Sequence, residues 1–226
     1  MHIFLTLLSW TISNCSMTME RSLAAFSFAL LASLASAVVL LVQAQQNPGF
    51  ISIDCGAPNQ YTEEYYNIAY ATDEGFIDSG ENMQVSSEVI YTYYQQYSKN
   101  LRSFPNGTRN CYTLRPDRGK NVTYLIRATF WYGNYDGKNK TPSFDLYIDV
   151  NYWATVSSLI YFYEEITYVS QADDIQVCLV NTGNGVPFIS ALELRPLDDD
   201  ISPSGLGFLQ LHWRCDIGLS SKSPMR

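Results

Sequence analysis

Groups suited to acid–base chemistry are concentrated in four pairs of adjacent acids, Glu63 and Glu64, Asp73 and Glu74, Glu164 and Glu165, and Asp173 and Asp174. A catalytic acid and base must converge on one substrate, whereas neighbours in an extended chain point to opposite faces. These pairs therefore read as solvated loop faces. A glycosidase would need two carboxyls converging from different strands, and nothing in the spacing marks such a couple. Histidine, the commonest general base, occurs only as His2 and His212. The stretch from Gln45 to Asp199 can thus build neither a Ser-His-Asp nor a Cys-His arrangement. With long cysteine spacings as well, no metal site and no cofactor is expected. No residue takes a catalytic role, and the chain reads as a binder rather than an enzyme.

Binding chemistry is better represented. The turn Gly133-Asn134-Tyr135-Asp136-Gly137 is built from residues that tolerate left-handed backbone angles, and Trp131, Tyr132 and Tyr135 crowd its mouth. A sugar presents an apolar C–H face and a hydroxyl rim, which suits aromatic rings flanked by amides or carboxylates. The plainer readings are structural. Counting alternation onward from Phe130 sends Tyr132 to the core and Trp131 to solvent, and Tyr135 and Asp136 serve as turn residues.

Two strands must position that turn. Val122, Tyr124, Ile126, Ala128 and Phe130 alternate with Thr123, Arg127 and Thr129, and Phe144, Leu146, Ile148 and Val150 alternate with Asp145, Tyr147 and Asp149. A period of two marks strands with one face on a core and one wet. Further short strands are expected at Phe50 to Ile53 and near Asn110 to Leu114, Tyr152 to Ser157, Glu165 to Ser170, Asp174 to Asn181 and Pro187 to Arg195. Asn59 to Asn82 reads as a long loop around a short Phe76-Ile77 strand, and Glu88 to Tyr97 as a strand or a turn. Strands at this spacing predict an all-β antiparallel β-sandwich, with no leucine-rich repeat and no kinase signature.

At 226 residues, 46% hydrophobic and 14% aromatic with 17 Tyr, the chain supports one good core. A net charge of -8 argues against nucleic acid or an anionic membrane as partner. Lys99, Arg102, Arg109, Arg115, Arg118, Lys120 and Arg127 form a locally basic third, read as a solvated sheet edge. Residues 1–44 form a leader. Its apolar run from Ser22 to Val42 follows Arg21 and ends in Val42-Gln43-Ala44, a cleavable secretory signal. Left uncleaved, residues 22–42 are long enough to anchor the chain in a membrane, the alternative to secretion. Met17 and Met19 offer starts beyond a weaker apolar stretch from Met1 to Ser16. Secretion gives meaning to three sequons, at Asn106, Asn121 and Asn139, each in or beside a predicted loop. Cys55, Cys111, Cys178 and Cys215 remain after the leader and permit three pairings; Cys111 and Cys178 fit buried hydrophobes as well as a bridge.

The strings Asn110-Cys111-Tyr112-Thr113-Leu114, Tyr124-Leu125-Ile126-Arg127-Ala128, Tyr132-Gly133-Asn134-Tyr135-Asp136-Gly137 and Phe144-Asp145-Leu146-Tyr147 resemble the malectin-like ectodomain of plant receptor-like kinases, often leucine-rich-repeat ones. Ile53-Asp54-Cys55-Gly56 upstream and Val177-Cys178-Leu179 and Pro187-Phe188-Ile189-Ser190 downstream agree. The resemblance spans about Phe50 to Leu197 and implies a jelly-roll sandwich. In the animal protein that gives the family its name, loop aromatics and an acid hold a glucose disaccharide. By that resemblance Trp131, Tyr132 and Phe104 form a candidate platform, and Asn184 stands nearest the place of the acid. Phe104 also suits packing beneath a Pro-Asn-Gly turn, and Asn184 a tight turn between glycines.

Such ectodomains usually carry two modules, and this chain resembles the first. The expectation is a module over 45–199, truncated before any transmembrane or kinase part, with an irregular, disordered tail over 200–226. Two functions follow. One is an extracellular carbohydrate-binding or cell-wall-sensing module taking an oligosaccharide or cell-wall glycan. The other is a protein-interaction module binding a peptide or receptor partner. Exposed aromatics with a nearby acid favour sugar, and buried rings favour protein.

Overall fold

The alternation around Ile126 and Leu146 is realised as two strands on the two layers of a β-sandwich. The computed structural model describes residues 49–64, 67–86, 95–158, 161–197 and 208–211, so the expected leader lies outside them. With strands numbered in chain order, the large sheet begins β14 (Phe208–Leu211), β10 (Phe162–Val169), β7 (Thr123–Phe130) and β13 (Ala191–Pro196). It continues β1 (Ile51–Asp54), β3 (Ile68–Thr72) and β2 (Tyr61–Glu63). A four-stranded sheet runs β6 (Arg109–Leu114), β11 (Ile175–Asn184), β8 (Ser143–Ile148) and β9 (Asn151–Val156). A third runs β12 (Phe188–Ile189), β5 (Asn100–Ser103) and β4 (Glu81–Gln84). The pairings are antiparallel apart from β1 with β3. The opening strand β1 is held on its other side by β13, from the far end of the domain.

Register follows from burial. Ile126 stands opposite Ile166 on one side and Leu194 on the other, and all three are fully buried. Across the layers they meet one core with Phe144, Leu146, Ile148, Val177 and Leu179. Slipping β7 by one residue would bring Arg127 into that core, so the hydrophobic pattern fixes the pairing. Each fully buried side chain of this kind contributes about 1.5–3 kcal/mol over the exposed state.

Of the three cysteine pairings left open, the structure forms Cys111–Cys178. The two residues are directly opposed on β6 and β11, with Cα atoms 4.0 Å apart. Closing a loop across a sequence separation of 67 stabilises on the order of 4 kcal/mol in the chain-entropy account. Cys55 is a free, buried thiol. Cys215 lies outside the described residues.

Three expectations change. Asn59 to Asn82 is not one long loop: it yields β2, β3 and the start of β4, while Ile77 makes only an isolated bridge with Glu74. These strands are short and polar on their outward positions, so no period emerges. Val150 is 86% exposed rather than buried, because β8 ends at Ile148 and Asp149, at φ 50°, turns the chain back into β9. The tail is not wholly irregular: β14 pairs with β10 from Phe208↔Tyr168 to Leu211↔Glu165. Four residues carry too little pattern to announce a strand whose partner supplies its pairing.

Candidate functional site

Alternation ends where β7 ends. Trp131 and Tyr132 are both buried, 6% and 2% exposed, although Trp131 was expected to face solvent. The chain leaves the strand here, and the Trp131 main-chain N–H is donated to Ser190 Oγ at 3.0 Å. Gly133 follows at φ 48°, where a Cβ would lie 2.1 Å from Val85 Cγ1. Only glycine lets the turn press onto Val85 in this way.

The turn is held by its own side chains. The Tyr132 hydroxyl donates to Asp136 Oδ1, which also accepts the Lys138 N–H at 3.1 Å. Asn134 Oδ1 accepts the Asn139 N–H at 2.8 Å, and the Tyr132 hydroxyl oxygen accepts the Lys140 N–H at 3.3 Å. Burial first, and donation to Asp136 second, push the Tyr132 hydroxyl up to about 12. Tyr132 is a neutral structural donor at any physiological pH.

Beneath the turn lies Phe188, to which its sequence pattern gives no role. Phe188 is fully buried, with ring centroids 6.0 Å from Tyr132, 5.8 Å from Tyr135, 6.1 Å from Phe130 and 5.8 Å from Phe144. Tyr135 is partly buried and shares a hydroxyl hydrogen bond with Ser103 at 3.2 Å. Phe104 is fully buried, edge-on to Tyr112 at 6.3 Å, and its N–H donates to the Pro187 carbonyl. Asn184 stands apart from the rings, exposed at the end of β11 beyond a register shift, and bonds Thr182 Oγ1 at 3.3 Å. The fold thus gathers Tyr132 and Tyr135 around Phe188 as packing and presents no flat exposed platform from Trp131, Tyr132 and Phe104. Asn106, Asn121 and Asn139 are all exposed, and Asn121, on a turn, and Asn139 adopt positive φ.

A second constellation, built on the Ile53-Asp54-Cys55-Gly56 string, is deeply buried. Asp73 Oδ2 accepts from Gly56 N at 3.0 Å, Arg102 Nε at 2.5 Å and the Tyr112 hydroxyl at 3.2 Å, while Oδ1 accepts Arg102 Nη2 at 2.9 Å. Burial, then the Asp73 charge, push the Cys55 thiol up, so it is no nucleophile. Two members of the basic third, Arg102 and Arg127, are therefore not solvated. The side chain of Arg127, 12% exposed, pairs with Glu165 at 2.6 Å and with Glu193 at 3.6 Å, on carboxylates only 3% and 4% exposed.

Asp54 beside this group is pushed up to about 7 from 3.8, chiefly by burial, with the Asn100 hydrogen bond opposing. Between those two values the folded chain holds a proton that the unfolded chain has released. The favourable contribution is complete below about pH 4 and is lost as pH climbs through 7, at about 1.4 kcal/mol per unit. Asp54→Asn keeps an acceptor for Asn100 and carries no titrating proton. Melting curves from pH 4 to 8 are expected to show a flatter slope for the variant and a higher Tm than the parent at pH 7.5.

Comparison with known proteins gives a consistent result. A family model, the malectin-like domain, matches residues 53–226, so the similarity runs on through the tail instead of stopping near Leu197. A probable LRR receptor-like serine/threonine-protein kinase of Arabidopsis thaliana, At1g05700, is 46% identical over 206 residues, covering 86% of this chain and 23% of the relative. The chain spans about a quarter of the length of the curated relatives it matches. Among solved structures, the ANX2 ectodomain of Arabidopsis thaliana aligns at TM-score 0.54 and 15% identity, covering 66% of this chain and 42% of that one. A chain in the crystal structure of plant peptide RALF23 in complex with FER and LLG2 aligns at TM-score 0.54 and 12% identity, covering 68% of this chain and 53% of that one.

Proposed function

Because the chain belongs to the malectin-like domain family, whose curated relatives here are plant receptor-like kinases, we propose that it is an ectodomain-type protein-interaction module. It works outside the cell or at its surface and binds a peptide or a receptor partner. One observation carries this reading: the rings that a sugar would need at the loop, Trp131, Tyr132 and Phe104, are packed inside. The large apolar side chains that do reach solvent, Phe50, Val150, Tyr152, Tyr163 and Leu209, belong to strands and their flanks. Exposed aromatic and aliphatic groups on a rigid sheet suit a protein surface. The FER complex with RALF23 shows that this fold occurs in a peptide-containing assembly.

In the oligosaccharide reading, Tyr135 and Asn184 are the loop members a ligand reaches. That reading is now the weaker one. Glycans at Asn106, Asn121 and Asn139 belong to the same proposal of an extracellular module, as does the cleaved leader.

The full chain, secreted from a eukaryotic host and immobilised, is to be presented with plant secreted peptides, receptor-kinase ectodomains and glucose disaccharides. Saturable binding to a peptide or ectodomain, with none to the disaccharides at about millimolar concentration, is expected. Sugar binding that Tyr135→Ala and Asn184→Ala abolish, without any protein partner, would overturn the proposal.

A further inference from the structure

The four-stranded sheet ends in an edge that no strand pairs with among the described residues. Among the described residues β9 pairs only with β8, and no other main-chain hydrogen bond reaches Asn151–Val156. Three other edges are blunted: β6 carries Arg109 and donates the Thr113 N–H to the Phe76 carbonyl, β2 ends in Glu63, and β4 begins with Glu81, whereas the shorter edges β12 and β14 are uncharged like β9. The strand β9, Asn-Tyr-Trp-Ala-Thr-Val, has no charge and no proline, and neither does the chain from Val150 to Tyr163. Native sheets protect an edge of that kind with charges or proline, or they use it.

Its local geometry supplies side-chain recognition as well. A bulge between Leu146 and Tyr147 gives β9 one extra residue, so Trp153 and Ala154 both turn to the core and Tyr152 and Thr155 share the outer face. There the Tyr152 and Thr155 hydroxyls meet at 2.9 Å, and Thr155 donates to Asp145 Oδ1 at 2.6 Å. No basic side chain pairs with Asp145 among the described residues. Tyr152 is 51% exposed. Tyr152 meets Tyr147 at 5.8 Å in an edge-to-face pair, and Arg109 lies over Tyr147 at 5.0 Å, which leaves Asp145 as the carboxylate without a cation beside a half-exposed aromatic; on a chain of net charge -8 that pair selects a cation.

We propose that the free edge of β9 docks an extended, basic segment of a partner protein. That segment adds as a fifth strand, and its Lys or Arg side chains lie against Asp145 and Tyr152. Main-chain pairing supplies affinity and the acid–aromatic pair selects sequence. The inference rests on the partner-binding reading and names its site.

The probe is a peptide of about ten residues alternating Thr or Val with Lys, together with its Glu counterpart and a form N-methylated at alternate amides. Each is titrated against the secreted full chain, with hydrogen exchange followed at Asn151–Val156. Binding of the Lys peptide is expected, with amide exchange slowed about tenfold or more on β9. N-methylation and the Glu substitution should each weaken binding about tenfold or more. Asp145→Asn, which keeps the Thr155 acceptor, should weaken it about two- to fivefold. Absence of Lys-peptide binding, indifference to N-methylation, or protection elsewhere than on β9 would overturn the site. Protection of β9 without peptide, in a dimer seen by sedimentation, would overturn the occupant. Binding of a natural peptide or ectodomain away from β9 would remove this inference and leave the interaction reading standing; failure of every protein partner to bind would remove both.

Discussion

Asp73→Ala is expected to lower the unfolding free energy by about 3–5 kcal/mol, the range for removing one partner of a buried ion pair. The carboxylate is 3% exposed and meets Arg102 at 2.5 Å, while Arg102 itself is 14% exposed. Alanine removes the acceptor for the Gly56 N–H and the Tyr112 hydroxyl along with the countercharge. The guanidinium keeps only the Ser79 and Gly80 carbonyls, at 3.0 and 3.3 Å. Four donor atoms, Gly56 N, the Tyr112 hydroxyl and Arg102 Nε and Nη2, lose their acceptor, and that costs more than the lost attraction itself. Urea titration of the full chain checks the value, and Asp73→Asn, which restores an acceptor without charge, should recover part of it. A loss below about 1 kcal/mol would place Asp73 among ordinary surface acids.

Phe188→Ala is expected to cost about 3–5 kcal/mol, as for other fully buried aromatics cut to a methyl group. Four rings surround the side chain, and two of them, Tyr132 and Tyr135, belong to the turn after β7. The cavity therefore opens directly beneath Gly133 to Lys140. Amides of Tyr135, Gly137 and Asn139 should exchange faster than those of β7, and the midpoint of denaturation should fall with little change in m. Phe188→Leu, which fills much of the space, should recover more than half of the loss. Global unfolding without selective loosening of the turn would mean that the ring supports the sheets and leaves the turn independent.

Both residues show why parts of this molecule are invisible in one dimension. The runs around Ile126 and Leu146 are legible because each has one face fully buried along its length, and burial writes period two into the sequence. Asp73 carries no such mark. Asp73 and Glu74 do point oppositely, but only Glu74 is exposed and Asp73 is buried. Arg102, which alters the outcome, is 29 residues away and shares no pattern with it. Glu165 fails in the same way, through Arg127. At the loop, the aromatic types were legible and their orientation was not. Trp131 left the strand register because a hydrogen bond to Ser190 and a contact of Gly133 with Val85 decide its direction, and both arise from distant segments. Phe188 left only the faint signal of four consecutive apolar residues in Val186-Pro187-Phe188-Ile189, on a strand too short to alternate.

Pairing β1 with β13 has a consequence in time. The Arg195 guanidinium reaches the Ile51 carbonyl across 144 residues of sequence, and Ile51 stands opposite Leu194. During synthesis at about 5–20 residues per second, β1 has emerged for on the order of ten seconds before its neighbour exists. Until then β1 and β7 lack the strand that separates them in the finished sheet. Ordering that depends on such distant partners comes late and slowly.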